Sequence, residues 1–269
     1  MYIEFFELNE EAFRKTPDPR FLWYSPQHKS AKSLIVYNVK TRSGPVYLYS
    51  DVGLGKTSIA KRVREELETD ESKQVVFLAL PNIKTSNAFL RLIMEAFATK
   101  TDRSYERNLK IFGEFLINQY KAGISPVLLV DEAQNMTTDT LKLVHYLFNF
   151  STNTDFLVQV ALFGQNELRQ RIKDHASLDS RMTPFQLEPF DLQGTREMMS
   201  FRWTVAGGKE LPFDAEAITE IFNLTGGNPR LICRLCTATL MQASADRRKM
   251  IDRDTVLAAT SLAFAKDDD

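Results

Sequence analysis

Short apolar runs alternate with helix-like stretches through the N-terminal part of this chain and then stop. No other feature of the sequence restricts the fold as much. The runs cover 46–50, 74–80, 126–131 and 157–163, and 184–187 reads as a short fifth. Continuous β-branched and leucine-rich segments of this length suit strands buried on both faces of a parallel sheet. Between them, apolar residues three and four apart predict helices over about 27–41, 56–67, 86–99, 105–121 and 138–150. Gly44-Pro45 breaks the chain between the first helix and the first strand. From Asp191 onward only helical stretches remain, near 194–206, 214–224, 229–245 and 253–264. This order predicts an α/β domain over 1–189, with a parallel five-stranded sheet flanked by helices, and a helical domain over 190–269.

Composition bounds the function. Lys plus Arg total 34 against 35 Asp plus Glu, a net charge of −1, which excludes coating nucleic acid by bulk charge and leaves room for a local basic patch. No apolar run approaches the roughly 20 residues a bilayer needs, so no membrane span is expected. The opening MYIEFFELNEEAF is acidic and lacks a basic region, so no secretory signal is read. Only two cysteines occur, and a cytoplasmic, reducing setting is expected. Cys233 and Cys236 lie three apart on one helix face, and His28, His145 and His175 are scattered. Buried packing is therefore preferred over a zinc site. The aspartates at 267–269 read as a solvated end.

The first strand runs into Ser50-Asp51-Val52-Gly53-Leu54-Gly55-Lys56-Thr57-Ser58, close to the pattern G-x-x-x-x-G-K-[ST]. Gly53 and Gly55 let the backbone wrap a polyphosphate with its N–H groups facing the anion. The N–H groups from Asp51 to Ser58 are the candidate cradle. Lys56 brings a positive charge to the β- and γ-phosphates, and Thr57 offers a hydroxyl to Mg²⁺. The helix that follows adds its positive end. Ser50 stands where the pattern has its first glycine, a departure that tightens the turn or weakens binding.

The strand at 126–131 ends in Asp131-Glu132. Acids at the end of a buried strand are costly unless used. Beside a phosphate loop, Asp131 would hold Mg²⁺ through its water shell, and Glu132 would orient and polarise the attacking water. A carboxylate pair capping the next turn is the alternative. The strand at 74–80, lying between loop and acids in sequence, implies the additional-strand ATPase order, in which the acidic strand is not adjacent to the phosphate-loop strand.

With FFELNEEAFRKTPDPRFLWYSPQHKSA, VDEAQ, LFGQNELRQRI, the SRM at 180–182, TGGNPRLICRLC and IDRDTV, these motifs run in order through nearly all of residues 1–260. Together they resemble AAA+ ATPases of the ExeA/GspA (general secretion pathway protein A) type. That type is similar in turn to the transposition regulators TnsC, TniB and MuB. The resemblance implies a P-loop AAA+ domain with a C-terminal helical lid, ATP and Mg²⁺ as cofactors, and ATP hydrolysis. It places Gln165, with Asn166 as second choice, at the sensor-1 position, although a helix cap reads equally well there. It places Arg181 as an arginine finger acting on a neighbouring subunit, with an ordinary surface arginine as the alternative. Arg230, in Gly227-Asn228-Pro229-Arg230, takes the sensor-2 position. In the stretch 17–24, Phe21 and its neighbours would pack over the adenine, with plain core packing equally open.

The resemblance also suggests a ring or helical homo-oligomer that hydrolysis loosens. Residues 84–110 carry six basic and three acidic side chains. By likeness to the transposition regulators, Lys84, Thr85, Thr99, Lys100, Thr101 and Arg103 are candidate contacts to the backbone of double-stranded DNA, without sequence reading. A solvated face is the alternative. The leading expectation is a transposition regulator that assembles on DNA with ATP and recruits transposase and target-selector proteins. It is favoured because the secretion-type proteins carry a transmembrane segment and a peptidoglycan-binding region after this domain and this sequence stops at Asp269. The alternatives are an ATPase module assembling a secretion or envelope complex, and a low-turnover nucleotide-dependent scaffold.

Overall fold

The computed structural model describes residues 2–14, 18–79 and 83–264. Pro17, Leu80 and the aspartates at 267–269 lie outside the described residues. Two compact units form. One gathers the described residues of Pro26–Val52 and Lys56–Leu187, the other those of Met1–Ser25, Gly53–Gly55 and Glu188–Asp269.

In chain order, the elements are α1 (Tyr2–Phe5), a 3-10 turn (Pro19–Phe21), α2 (Pro26–Thr41), β1 (Val46–Tyr49), α3 (Lys56–Glu68), β2 (Lys73–Ala79), α4 (Ser86–Ala96) and α5 (Tyr105–Lys121). They continue with β3 (Ser125–Asp131), a 3-10 turn (Ala133–Asn135), α6 (Thr138–Leu147), β4 (Gln159–Gly164), α7 (Asn166–Lys173), α8 (Ala176–Asp179) and β5 (Thr183–Gln186). Four helices close the chain: α9 (Leu192–Val205), α10 (Ala215–Thr225), α11 (Pro229–Ala245) and α12 (Arg253–Phe264).

The strands form one five-stranded sheet in the order β2-β3-β4-β1-β5, every pair parallel. Thus β4 separates the acidic strand from the phosphate-loop strand, as the additional-strand order requires, while β2 lies at the sheet's edge. Strand periodicity divides the side chains between two faces. Tyr47, Tyr49, Leu128, Val130, Val160 and Leu162 share one face with Phe89, Ile93, Phe112, Leu116 and Leu147 from α4, α5 and α6. Leu48, Leu129, Ala161 and Phe163 alternate with them and are buried, as are Ile59, Ala60, Val63 and Leu67 of α3. Each fully buried aliphatic side chain contributes about 1.5–3 kcal/mol, so this two-faced burial is what fixes the strand ends where the polar residues begin.

Two helices end sooner than periodicity predicts. Helix α4 stops at Ala96, because Ala98 turns left-handed at φ 57° and Thr99 N–H closes back on the Met94 carbonyl. Helix α6 stops at Leu147, three residues short of 150. The short helices α7 and α8, between β4 and β5, were not anticipated from periodicity.

The second unit corrects the expected boundary. Residues 1–25 were assigned to the α/β domain. The described ones among them cluster instead with the C-terminal helices, where Tyr2, Phe6, Leu8 and Phe13 share a core with Trp203, Phe213 and Ile218. Arg202 donates from Nε to the Ala12 carbonyl at 3.0 Å, and Thr237 donates to the Phe13 carbonyl at 3.0 Å. The aromatic opening of the chain finds its burial there, not on the sheet. The caps of the helical unit follow their sequence signals: Asp191, Asp214 and Asn228 accept from backbone N–H groups at the starts of α9, α10 and α11.

Candidate active site

The ends of β1, β3 and β4 and the start of α3 carry the polar groups of the α/β unit. Tyr49 pairs with Gly164, and Ser50 N–H donates to the Gly164 carbonyl at 3.3 Å, so the β1 and β4 ends are level. Lys56, the first residue of α3, is buried. Its Nζ donates to the Ser50 carbonyl and to Ser50 Oγ, both at 3.1 Å, and to the Asp51 carbonyl at 2.8 Å. The serine at the first glycine position therefore helps to hold the lysine. Gly53 and Gly55 have φ of +90° and +96°, the left-handed backbone that the expected wrapped loop needs.

Asp131 ends β3 with its side chain nearly fully buried. Its Oδ2 accepts a hydrogen bond from Thr57 Oγ1 at 2.7 Å. Its Oδ1 is buried and meets no hydrogen-bond partner. Burial is the main cause that pushes the Asp131 carboxyl above its ordinary range, with the Thr57 hydroxyl pulling the other way. A buried carboxylate oxygen with no donor, beside a hydroxyl at the head of a helix, suits a hard oxygen-seeking cation. Thr57 and Asp131 are therefore the residues that would hold Mg²⁺.

Glu132 follows in a left-handed conformation, φ 54° and ψ 33°. Such a backbone on a non-glycine residue costs of order 1–2 kcal/mol and is kept where a side chain must be aimed. Its side chain makes no capping bond to the turn at Ala133–Asn135, contrary to the capping alternative. Glu132 Oε2 accepts from Gln134 Nε2 at 2.6 Å. Gln134 Oε1 in turn accepts from the backbone N–H of Gln165 at 3.0 Å. In the sequence, Gln134 is visible only as the last residue of VDEAQ, with nothing there to mark a role.

Gln165 sits one residue beyond β4 as the N-cap of α7, where its side chain makes no cap bond. Asn166 reaches the phosphate loop, donating from Nδ2 to Asp51 Oδ1 at 2.6 Å. Arg181 is exposed and donates to Asn149 Oδ1 at 3.3 Å. In the helical unit, Arg230 is exposed near the start of α11, where Asn228 Oδ1 accepts from its N–H at 3.0 Å. A Cβ on Gly53 would meet Arg230 Cβ and Asn228 Oδ1 at 2.8 Å each, so only glycine fits that approach. Phe21 departs from the expected open base platform. Its side chain is 1% exposed, with the guanidiniums of Arg14, Arg20 and Arg202 at 4.8, 5.5 and 5.4 Å from the ring centre. Core packing, the other option left open for this residue, describes it.

The candidate backbone-contact residues fall in two places. Lys84 is exposed, and its carbonyl accepts from Thr137 Oγ1 at 3.1 Å. Thr85 caps α4 with its hydroxyl oxygen. The Thr99 hydroxyl donates to the Met94 carbonyl at 2.8 Å, so it serves the end of α4. Lys100 and Arg103 are exposed and Thr101 is half-buried, in the loop between α4 and α5. Both cysteines are buried, and among the described residues no three His, Cys, Asp or Glu side chains gather as a metal cluster. Nor is any helix among them long and apolar enough to cross a membrane.

The chain is 31% identical over its whole length to the general secretion pathway protein A of Aeromonas hydrophila, and residues 39–172 match an AAA domain. Over these stretches it is similar to AAA+ ATPases of that type. The chain spans half the length of that relative. Two solved structures share the fold. The ORC2 protein of Aeropyrum pernix, in ADPNP–ADP complexes, aligns at a TM-score of 0.65 and 15% identity, covering 96% of this chain and 72% of its own. The Thermotoga maritima RuvB Holliday junction branch migration motor aligns at 0.59 and 18%, covering 93% of this chain and 73% of its own. The AAA domain match encloses Lys56, Thr57, Asp131, Glu132 and Gln165.

Proposed function

We propose that this domain binds ATP with Mg²⁺, assembles with copies of itself around the nucleotide, and hydrolyses it to drive assembly of a secretion or envelope complex. The likeness of this whole chain to half of general secretion pathway protein A supports the cellular role, and it favours that role over transposition. The convergence of Lys56, Thr57, Asp131 and Glu132 supports the chemistry. Mg²⁺ would neutralise phosphate charge and polarise the γ-phosphoryl group. Lys56 gives up its bonds to Ser50 and Asp51 for the phosphate oxygens, and the loop N–H groups from Asp51 to Ser58 wrap them. Glu132 orients the attacking water. Gln165 and Arg230 sense the γ-phosphate, and Arg181 of a neighbouring copy balances the developing charge. Since ATP is a cytoplasmic solute, the reading puts the domain on the cytoplasmic side.

Phosphate release with and without Mg²⁺ tests this reading. Wild type is expected to turn over only with the metal. Lys56→Ala loses nucleotide binding, and Glu132→Gln keeps binding but loses turnover by at least a hundredfold. Equal, near-zero release by wild type and Glu132→Gln would leave the scaffold alternative standing instead.

A second reading rests on the loop between α4 and α5. Fully buried Asn108 donates to the Asp102 carbonyl at 3.0 Å and accepts from Asp102 N–H at 2.7 Å, fixing a loop that exposes Lys100 and Arg103. A preformed basic loop suits the backbone of double-stranded DNA and hence a transposition regulator working with transposase and target-selector proteins. DNA binding that needs ATP and weakens steeply with salt would support it. Binding indifferent to both would remove it.

A further inference from the structure

We propose that Gln134 is a positioning residue that sets the direction of the Glu132 carboxylate and ties it to the end of β4. The inference rests on the reading of Glu132 as the water-orienting group.

Gln134 is 9% exposed, and both ends of its amide are used. The backbone N–H of Gln165 can only donate, so the amide atom 3.0 Å from it must be the oxygen. The other end is then the NH₂ group, which faces Glu132 Oε2 at 2.6 Å as a donor. Turned the other way, the amide would set N–H against N–H and oxygen against carboxylate. One backbone group on β4's exit thus fixes which end of the glutamine meets the catalytic acid. The approach is close because β4 ends in Gly164, where a Cβ would lie 3.0 Å from Gln134 N and 2.7 Å from Leu168 Cδ2. The left-handed turn at Glu132 brings the carboxylate and the amide together within three residues of chain.

Two consequences follow. One carboxylate oxygen is held, so the free one has a defined direction for a water. And a shift of the Gln165 end of β4, the position expected to sense the γ-phosphate, reaches Glu132 through one side chain. Gln134 needs no contact with nucleotide for either effect.

The test uses Gln134→Met, which keeps the length and loses both bonds, and Gln134→Glu, which keeps the acceptor for Gln165 but turns an oxygen toward Glu132. Turnover, affinity for a fluorescent ATP analogue and thermal unfolding are measured for each, alone and combined with Glu132→Gln. The expected result is a 10- to 100-fold fall in kcat, larger for Gln134→Glu, with analogue affinity within twofold and both variants still folding cooperatively, their melting temperatures only a few degrees lower for the lost bonds. In the Glu132→Gln background, neither change should lower kcat further, because the group being positioned is already gone. Turnover within twofold of wild type, while Glu132→Gln is inactive, would overturn the positioning role and leave the catalytic reading intact. So would losses that multiply in the double variants, or unfolding of both single variants, since either makes Gln134 a structural residue. Full turnover by Glu132→Gln itself would sink the underlying reading.

Discussion

Thr57 Oγ1 donates to Asp131 Oδ2 at 2.7 Å, joining the first turn of α3 to the last residue of β3 across the sheet. The bond satisfies one carboxylate oxygen and leaves the other buried without a donor. Burial raises the folded-state pKa of Asp131 above its unfolded value of about 3.9. A raised value means that the folded state holds the proton more readily. The group's favourable contribution is complete below about pH 4 and is lost as pH rises through the raised value.

Asp131→Asn should therefore melt higher than wild type in EDTA at pH 7, by roughly 2–4 °C for each kcal/mol recovered. The gap should close as pH falls through the raised carboxyl range, where Asp131 takes up its proton and both side chains become neutral. Millimolar Mg²⁺ should raise the wild-type melting temperature and leave Asp131→Asn unmoved, because a ligand stabilises only the state that binds it. Calorimetric scans across pH, with and without metal, check both halves. A variant less stable than wild type in EDTA at pH 7 would contradict the orphaned-charge account.

Ser50 supplies an acceptor to Lys56 Nζ at 3.1 Å from its side chain as well as its carbonyl. A phosphate must compete with both. Ser50→Gly restores the usual residue of the loop and removes one of these acceptors. A hydrogen bond to a charged group contributes about 1.5–3 kcal/mol, and part of that is repaid by water. The expected gain in ATP affinity is roughly 3- to 10-fold, since about 1.4 kcal/mol is tenfold. Titration of a fluorescent analogue reads it, and weaker binding in Ser50→Gly would mean that the hydroxyl serves the nucleotide instead.

These two sites also show what a sequence displays and what it hides. The phosphate loop and the acidic strand end were legible because each is a local string at the junction of an apolar run with a polar turn. That the acidic strand is not adjacent to the phosphate-loop strand is readable from the extra strand between the two motifs; that β4 fills the gap is visible only in the fold. Gln134 gained no role because its two bonds run to a backbone N–H 31 residues away and to a side chain two residues back, and no periodicity marks such a pair. Asn166 reaches Asp51 over 115 residues in the same way. The N-terminal 25 residues were misplaced because clustered aromatics such as Phe5, Phe6 and Phe13 announce burial without naming the surface that buries them. Phe21 shows the same limit: an aromatic side chain reads alike whether it will face a base or, as here, three guanidiniums.

Asn108 is fully buried in α5 and organises the loop ahead of it. Its Nδ2 donates to Asn87 Oδ1 and the Asp102 carbonyl, both at 3.0 Å, and its Oδ1 accepts from Asp102 N–H at 2.7 Å. Asn108→Leu removes all three bonds and leaves half-buried partners unpaired. It should cost about 2–4 kcal/mol, or roughly 4–16 °C. At temperatures where the variant stays folded, nucleotide affinity should hold within twofold, because the loop is separate from Lys56 and Asp131. If Lys100 and Arg103 meet a DNA backbone, affinity for duplex DNA falls with the loop's order. Unfolding curves and salt-resolved DNA titrations on the same preparation separate the two effects.

Arg181 is the residue whose role depends most on a second copy of the chain. It is exposed, and its bond to Asn149 Oδ1 at 3.3 Å is a surface contact. Arg181→Ala should therefore leave stability within about 0.5 kcal/mol of wild type. As the proposed finger it would act on its neighbour's nucleotide, and its loss should then lower turnover by about a thousandfold. The distinguishing measurement mixes Arg181→Ala with Glu132→Gln. The first has an intact water-orienting carboxylate and no finger, the second an intact finger and no working carboxylate. Neither turns over alone. In a mixed assembly, a Glu132→Gln copy can present Arg181 to the site of an Arg181→Ala copy, so activity should return, rise with protein concentration and peak near equal proportions. If the mixture stays as inactive as its parts while assembly is intact, Arg181 does not act across the interface.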